Sequence, residues 1–186
     1  MKSKDAADTR KKEIEKTISL TSVMPIEFLQ FLKTGVLNFG TLMSWFDRDF
    51  PGHYMRLIRD VSITVQAKFP LNKAIQATLS NNGISRVMMG APFDLATKIN
   101  RPPESVVLRA VGKTTAPLIL GFENLRYTPF EGCGVDTTWR LEMPKDKNHF
   151  DYDTLSDVLF TIHYTALEDC GYRAKVLAAM GQNEEG

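Results

Sequence analysis

Hydrophobic and polar positions alternate most strictly over residues 54–66, YMRLIRDVSITVQ. Met55, Leu57, Val61, Ile63 and Val65 fall on one side, and Arg56, Asp60, Ser62, Thr64 and Gln66 on the other. A two-residue period of this kind predicts a strand with one buried face. Residues 73–80 alternate likewise with Ile75, Ala77 and Leu79 inward. The following Asn81-Asn82-Gly83 is turn chemistry, which predicts a hairpin-like return into residues 84–88. Residues 105–111, 118–122 and 137–143 are further short strands, and residues 156–166 form a long one with Val158, Phe160, Ile162 and Tyr164 on its inner face. Trp139 alternates with Leu141 and is expected in the core. Residues 90–104 contain Pro92, Pro102 and Pro103 without any period and are expected to form a long surface loop.

Helical spacing is confined to two places. Residues 17–21, TISLT, alternate as a strand; Pro25 then opens IEFLQFLKT and Gly35 closes it, the usual asymmetry of a helix start and stop. Phe28, Leu29 and Leu32 share one face of that helix and are expected to dock on the core. Residues 172–180, YRAKVLAAM, are rich in helix formers. The pattern as a whole predicts a mostly β protein, an antiparallel β-sandwich with a short helix near the N-terminus and a short C-terminal helix. Its division is a charged helical or disordered tail over residues 1–16, one domain over 17–181 and a disordered tail over 182–186. Residues 2–16 carry Ile14 as their only large apolar side chain, which is why no core role is expected of them.

Composition narrows function chiefly by what it removes. Lys plus Arg number 23 against 22 for Asp plus Glu, without the basic excess of a non-specific nucleic-acid or anionic-membrane binder. Neither a nucleic acid nor direct insertion into a membrane is expected. No apolar stretch resembles a signal peptide or a membrane span, so the chain reads as cytosolic as expressed or as a fragment. Cys133 and Cys170 match no metal or redox spacing and are read as free thiols. His53, His149 and His163 stand apart from one another. The pairs Asp47/Asp49 and Asp151/Asp153 lack the glycine and glutamate of a calcium loop and are read as turn caps or exposed charge. No nucleotide-binding, hydrolase or zinc-protease motif occurs, so no catalytic residue, metal or cofactor is expected. Rival readings are a lectin-like sandwich and, below it, a glycan-processing enzyme using Asp151 and Asp153.

Four blocks carry the reading further. Residues 46–65, FDRDFPGHYMRLIRDVSITV, resemble the D-x-D-F/Y-P-G-H-Y-x-R-R-I-K-S-V-S-V-T signature of Tc-toxin A components. Residues 15–39 resemble that family's strand and helix lead-in, with Thr17-Ile18-Ser19-Leu20 and Thr34-Gly35 in register. Residues 125–144 resemble R-Y-x-P-F-E-G-x-G-x-x-x-x-W-R-L-E-L-P, and residues 150–166 resemble F-D-Y-x-T-I-S-D-V-I-x-x-x-x-Y-T-A. The likeness departs at Ala67-Lys68-Phe69-Pro70, where the family reads G-P-Y, and in the 90–104 loop.

The resemblance is to the C-terminal B-component-binding domain. It implies a non-enzymatic docking module in a secreted bacterial toxin, whose A component is a pentameric translocation channel and whose B and C components form a cocoon around a toxic enzyme. Such a domain binds the β-propeller of the B component and helps to open its gate. A pentamer would be built mainly by other parts of the A component; a stand-alone form would act as a regulator or decoy. Docking favours aromatic and charged side chains on loops. Phe46, Asp47, Arg48, Asp49, Phe50, His53 and Tyr54, with Phe130 and Glu131, suit that role.

Overall fold

The computed structural model describes residues 8–68, 74–110, 118–122 and 128–183. Among these residues nine antiparallel strands and four α-helices follow one another as β1 (Asp8–Ser19), α1 (Leu20–Val23), α2 (Pro25–Thr34), β2 (Val36–Thr41), α3 (Met43–Asp49), β3 (His53–Ala67), β4 (Ile75–Val87), β5 (Thr97–Asn100), β6 (Glu104–Ala110), β7 (Leu118–Phe122), β8 (Asp136–Glu142), β9 (Leu155–Glu168) and α4 (Cys170–Asn183). One layer has the order β1-β9-β3-β7 and the other β6-β4-β8-β2, with β5 beside β4; pairing of β6 to β7 joins them into one curled sheet. The expected β-sandwich is thus present, continuous along one side.

Alternation explains the interior. Val61, Ile63 and Val65 of β3, Ile75, Ala77 and Leu79 of β4, and Val158, Phe160, Ile162 and Tyr164 of β9 are all buried, as their period predicts. Phe160 meets Phe39 of the facing layer at 5.2 Å between ring centroids and Trp139 at 5.0 Å, and Phe130 meets Trp139 edge-on at 5.1 Å. The Trp139 indole N–H donates to Thr41 Oγ1 at 3.1 Å, which satisfies its polar atom inside the core.

Helix α2 begins at Pro25 and ends at Gly35, whose φ of 74° suits only a residue without a Cβ; a Cβ there would lie 2.4 Å from the Met143 carbonyl. Its buried residues are Phe28 and Phe31, while Leu32 is half-buried and Leu29 is 60% exposed. The docked face is therefore rotated away from the expected Phe28/Leu29/Leu32 stripe, because Phe31 packs against Tyr152 at 6.3 Å.

Several expectations are corrected. The charged tail is not helical over residues 8–16: it is the first part of β1, paired with β9 from Asp8↔Glu168 to Ser19↔Leu159. Cross-strand pairs replace the missing apolar side chains, among them Lys12 with Glu168, Glu13 with Arg59 and Glu15 with His163. Residues 1–7 and 184–186 lie outside the described residues, and the helix continues past 180 to Asn183. Asn81-Asn82-Gly83 makes no hairpin. β4 runs straight through it, with a register shift between Asn81 and Ser85 and Gly83 at φ 80°, where a Cβ would fall 2.0 Å from the Arg101 carbonyl. The loop expected over residues 90–104 contains the short strand β5, paired with residues 84–87 of β4. The expected strand over 17–21 stops at Ser19, whose side chain caps α1 by accepting from the Ser22 N–H.

Candidate functional site

The signature block folds as α3, a corner over residues 50–52 and the bulged first half of β3. Two extra residues enter β3 against β9, one between Tyr54↔Leu167 and Leu57↔Thr165, the other between Ile58↔Tyr164 and Asp60↔His163. Met55 has φ 52° at the first. Each insertion exchanges inward and outward faces. The inward residues are consequently His53, Arg56, Ile58, Val61, Ile63 and Val65, whereas Met55 and Leu57 are only half-buried. Arg56, expected on the polar side, is 4% exposed.

That burial organises the corner. Arg56 donates from Nη1 to Asp47 Oδ1 at 2.7 Å and from Nη2 to the Phe50 carbonyl at 2.9 Å, so one guanidinium ties α3 and the corner to the sheet. Burial pushes the Asp47 carboxyl up from its ordinary value, and the charge and hydrogen bond of Arg56 offset this only in part. His53 lies beneath the Phe50 ring, stacked at 4.7 Å with 7° between planes. Burial first, and then the Arg56 charge, lower its pKa, which favours a neutral imidazole. Phe46 is fully buried against Tyr164, edge-on at 5.3 Å, with the Lys16 ammonium 5.7 Å from its ring centre. Burial raises the Tyr164 phenol to about 12.

Of the nine expected docking residues, Phe46, His53 and Phe130 are buried and present no side chain at the surface. They are corrected to frame residues, since Phe46 seats α3, His53 supports Phe50 and Phe130 packs on Trp139. Asp47 and Tyr54 are half-buried. Tyr54 meets Phe93 edge-on at 5.1 Å, and Phe93 stacks on Tyr172 of α4 at 4.8 Å. Arg48, Asp49, Phe50 and Glu131 are exposed. Asp49 pairs with Lys16 of β1. The Phe130-Glu131 turn reaches the same half of β3 through its backbone, the Gly132 N–H donating to the Ile58 carbonyl at 2.8 Å and the Ile58 N–H to the Cys133 carbonyl at 2.7 Å.

Arg56, Trp45 and Lys16 belong to this end of the molecule and were not singled out by the sequence. The alternation gave no signal for Arg56, because a bulge leaves no mark in it; the trace it did leave is the Arg of the H-Y-x-R stretch in the family signature, which Arg56 matches. Trp45 and Arg48, three apart on α3, carried one: a tryptophan and an arginine on one helix face are the residue types that dominate interfaces.

The other candidate groups are engaged structurally. Asp151 caps the 3-10 turn Tyr152–Thr154 by accepting from the Asp153 N–H at 3.0 Å. His163 has one ring nitrogen on Asp60 and the other 2.9 Å from Glu15, and the Asp60 hydrogen bond, opposed by partial burial, raises its pKa. Cys133, buried, and Cys170, exposed, are both free thiols. Among the described residues no group of three or more His, Cys, Asp or Glu side chains is placed to hold a metal ion, and no helix is long and apolar enough to cross a membrane.

Comparison with known proteins gives relatives much larger than this chain. Toxin subunit YenA2 of Yersinia entomophaga is 27% identical over 177 residues, which cover 86% of this chain and 13% of that protein. The cryo-EM structure of Yersinia pseudotuberculosis TcaA-TcaB aligns at 20% identity with a TM-score of 0.49, covering 85% of this chain and 10% of that one. Morganella morganii TcdA4 aligns at 19% identity with a TM-score of 0.47, covering 86% and 8%. The family model described as the Tc toxin complex TcA C-terminal TcB-binding domain matches residues 2–166, and the chain belongs to that family.

Proposed function

We propose that this chain is a docking module for the B component of a Tc toxin, and that the end of the sandwich formed by α3 and the 50–52 corner is its contact surface. The family match over residues 2–166 carries the reading. It is supported by the corner's construction: Arg56 and His53 hold Phe50 from below, leaving the residue 42% exposed beside the charged Arg48 and Asp49. A side chain held in place before binding loses little freedom on contact. Glu131 adds an exposed carboxylate from the neighbouring turn.

In this reading the partner surface is the β-propeller of the B component, and binding biases its gate toward the open form through differential affinity for the two states. The wider channel, including any pentamer, is supplied by the rest of a longer A component and acts outside the producing cell. The test is a calorimetric titration of the purified chain with a B component. Saturable binding, weakened about tenfold by Phe50→Ala combined with Glu131→Ala, is the expected result. A folded chain that does not bind would overturn the reading.

A further inference from the structure

A groove of about 330 Å³ separates α3 from the last residues of β1, with α1 closing one end. Trp45 and Arg48 of α3 line one wall, and Val23 of α1, 41% exposed, lies at the end. The opposite wall is made of four consecutive residues, 16–19 of β1. A strand seen from its face offers every second residue; four in a row are reached only from its edge. β1 is the terminal strand of its layer and pairs with β9 alone among the described residues, so its other edge carries unpaired backbone N–H and C=O groups.

The charges along this groove do not cancel. Lys16 and Asp49 neutralise each other across it, leaving Arg48 exposed and without a partner among the described residues. The Trp45 indole N–H likewise has no hydrogen-bond acceptor there, although the ring packs against the core. A fixed, half-exposed tryptophan next to an uncompensated arginine, beside an open strand edge, is a combination of anchor, charge and template.

We infer that this groove takes an extended, acidic segment of the partner, added as a further strand on the free edge of β1 at residues 16–19, with a carboxylate on Arg48 and an apolar side chain on Trp45. Four residues of extended chain span about 13 Å, and backbone pairing supplies affinity while the two side chains supply selectivity. Ser19 ends the template, since its hydroxyl is committed to Asp157 at 2.6 Å and to capping α1. The inference rests on the docking reading above and names the contact that reading lacks.

The test follows amide hydrogen exchange of the whole chain, free and with a B component, alongside affinity measurements for Arg48→Glu and Arg48→Lys. Arg48 is exposed and unpaired, so neither substitution threatens folding. Exchange within residues 16–19 is expected to slow by about tenfold or more on binding, and Arg48→Glu to weaken binding about tenfold, with Arg48→Lys losing less. Binding that leaves the exchange of residues 16–19 unchanged, or protects Trp45 but not β1, would overturn strand addition while the docking role stands. Unaltered affinity of Arg48→Glu would remove the acidic partner. If the folded wild-type chain binds no B component, both proposals fall.

Discussion

The two halves of β3 are one strand with two characters. From Val61 onward it alternates without interruption, inward Val61, Ile63 and Val65 against outward Ser62, Thr64 and Gln66, paired continuously with β9 from Val61↔Ile162 to Gln66↔Asp157. From His53 to Asp60 it bulges twice, and the inward set includes a histidine and an arginine. The regular half is held by apolar packing, which tolerates change within a size class. The irregular half is held by one guanidinium with specific partners, which does not. Placing a surface loop in a fixed orientation required the second kind of construction, because apolar contacts alone give no directional grip on α3 and the corner.

Substitutions should separate the halves in order of size. Arg56→Ala removes the buried member of the pair, leaves the half-buried Asp47 carboxylate unpaired and is expected to cost about 3 kcal/mol by urea unfolding. Adding Asp47→Asn removes that orphaned charge and should return part of the loss, as a double-mutant cycle would show. In the regular half, Ile63→Val should cost about 0.5–1.5 kcal/mol, with the corner and its exposed Phe50 undisturbed. A cost for Arg56→Ala no larger than that of a surface substitution would remove the distinction between the halves.

The two histidines give the comparison a pH signature of opposite sign. His163 bridges Asp60 and Glu15 across three strands, and its folded pKa is raised. Its contribution is therefore complete below its unfolded value of about 6.5 and lost as pH rises through the higher folded value. With 39% of its side chain exposed, solvent screening limits the effect to about half a kcal/mol. His53 is the reverse: burial lowers its pKa, so stability is complete above about 6.5 and declines as pH falls below it. Imidazole titration by NMR should place the His163 midpoint above that of His53. His163→Gln should abolish the loss on the alkaline side and leave the acid limb intact; an unchanged alkaline limb would assign that limb to another group.

Much of this was legible in the sequence, and the illegible parts share a cause. The Pro25 start and Gly35 stop of α2, the inner face of β9 and the Trp139 core position follow from local chemistry that tertiary contacts did not override. Residues 8–16 of β1 were invisible, unlike its end at 17–19, because their charges find partners on β9 and β3, information held over a hundred residues away in the chain for Lys12 and Glu168. Gly83 reads as a turn residue, yet the same positive φ serves a bulge inside a strand. The inward Arg56 is hidden by the bulges, which preserve apparent alternation while changing its phase. The signature residues fold together as one block, but which of them reach solvent depends on that phase: Phe46 and His53 lie inward, while Arg48, Asp49 and Phe50 lie outward.

The most direct test of the account measures B-component affinity for two folded variants side by side, one altered at the irregular end and one on the outer face of the regular half. Arg48→Glu with Phe50→Ser changes the corner, and Ser62→Lys with Thr64→Lys changes the regular face. A loss of about tenfold or more is expected for the first and wild-type affinity for the second. Wild-type affinity in the corner variant, with loss confined to the regular face, would contradict the account.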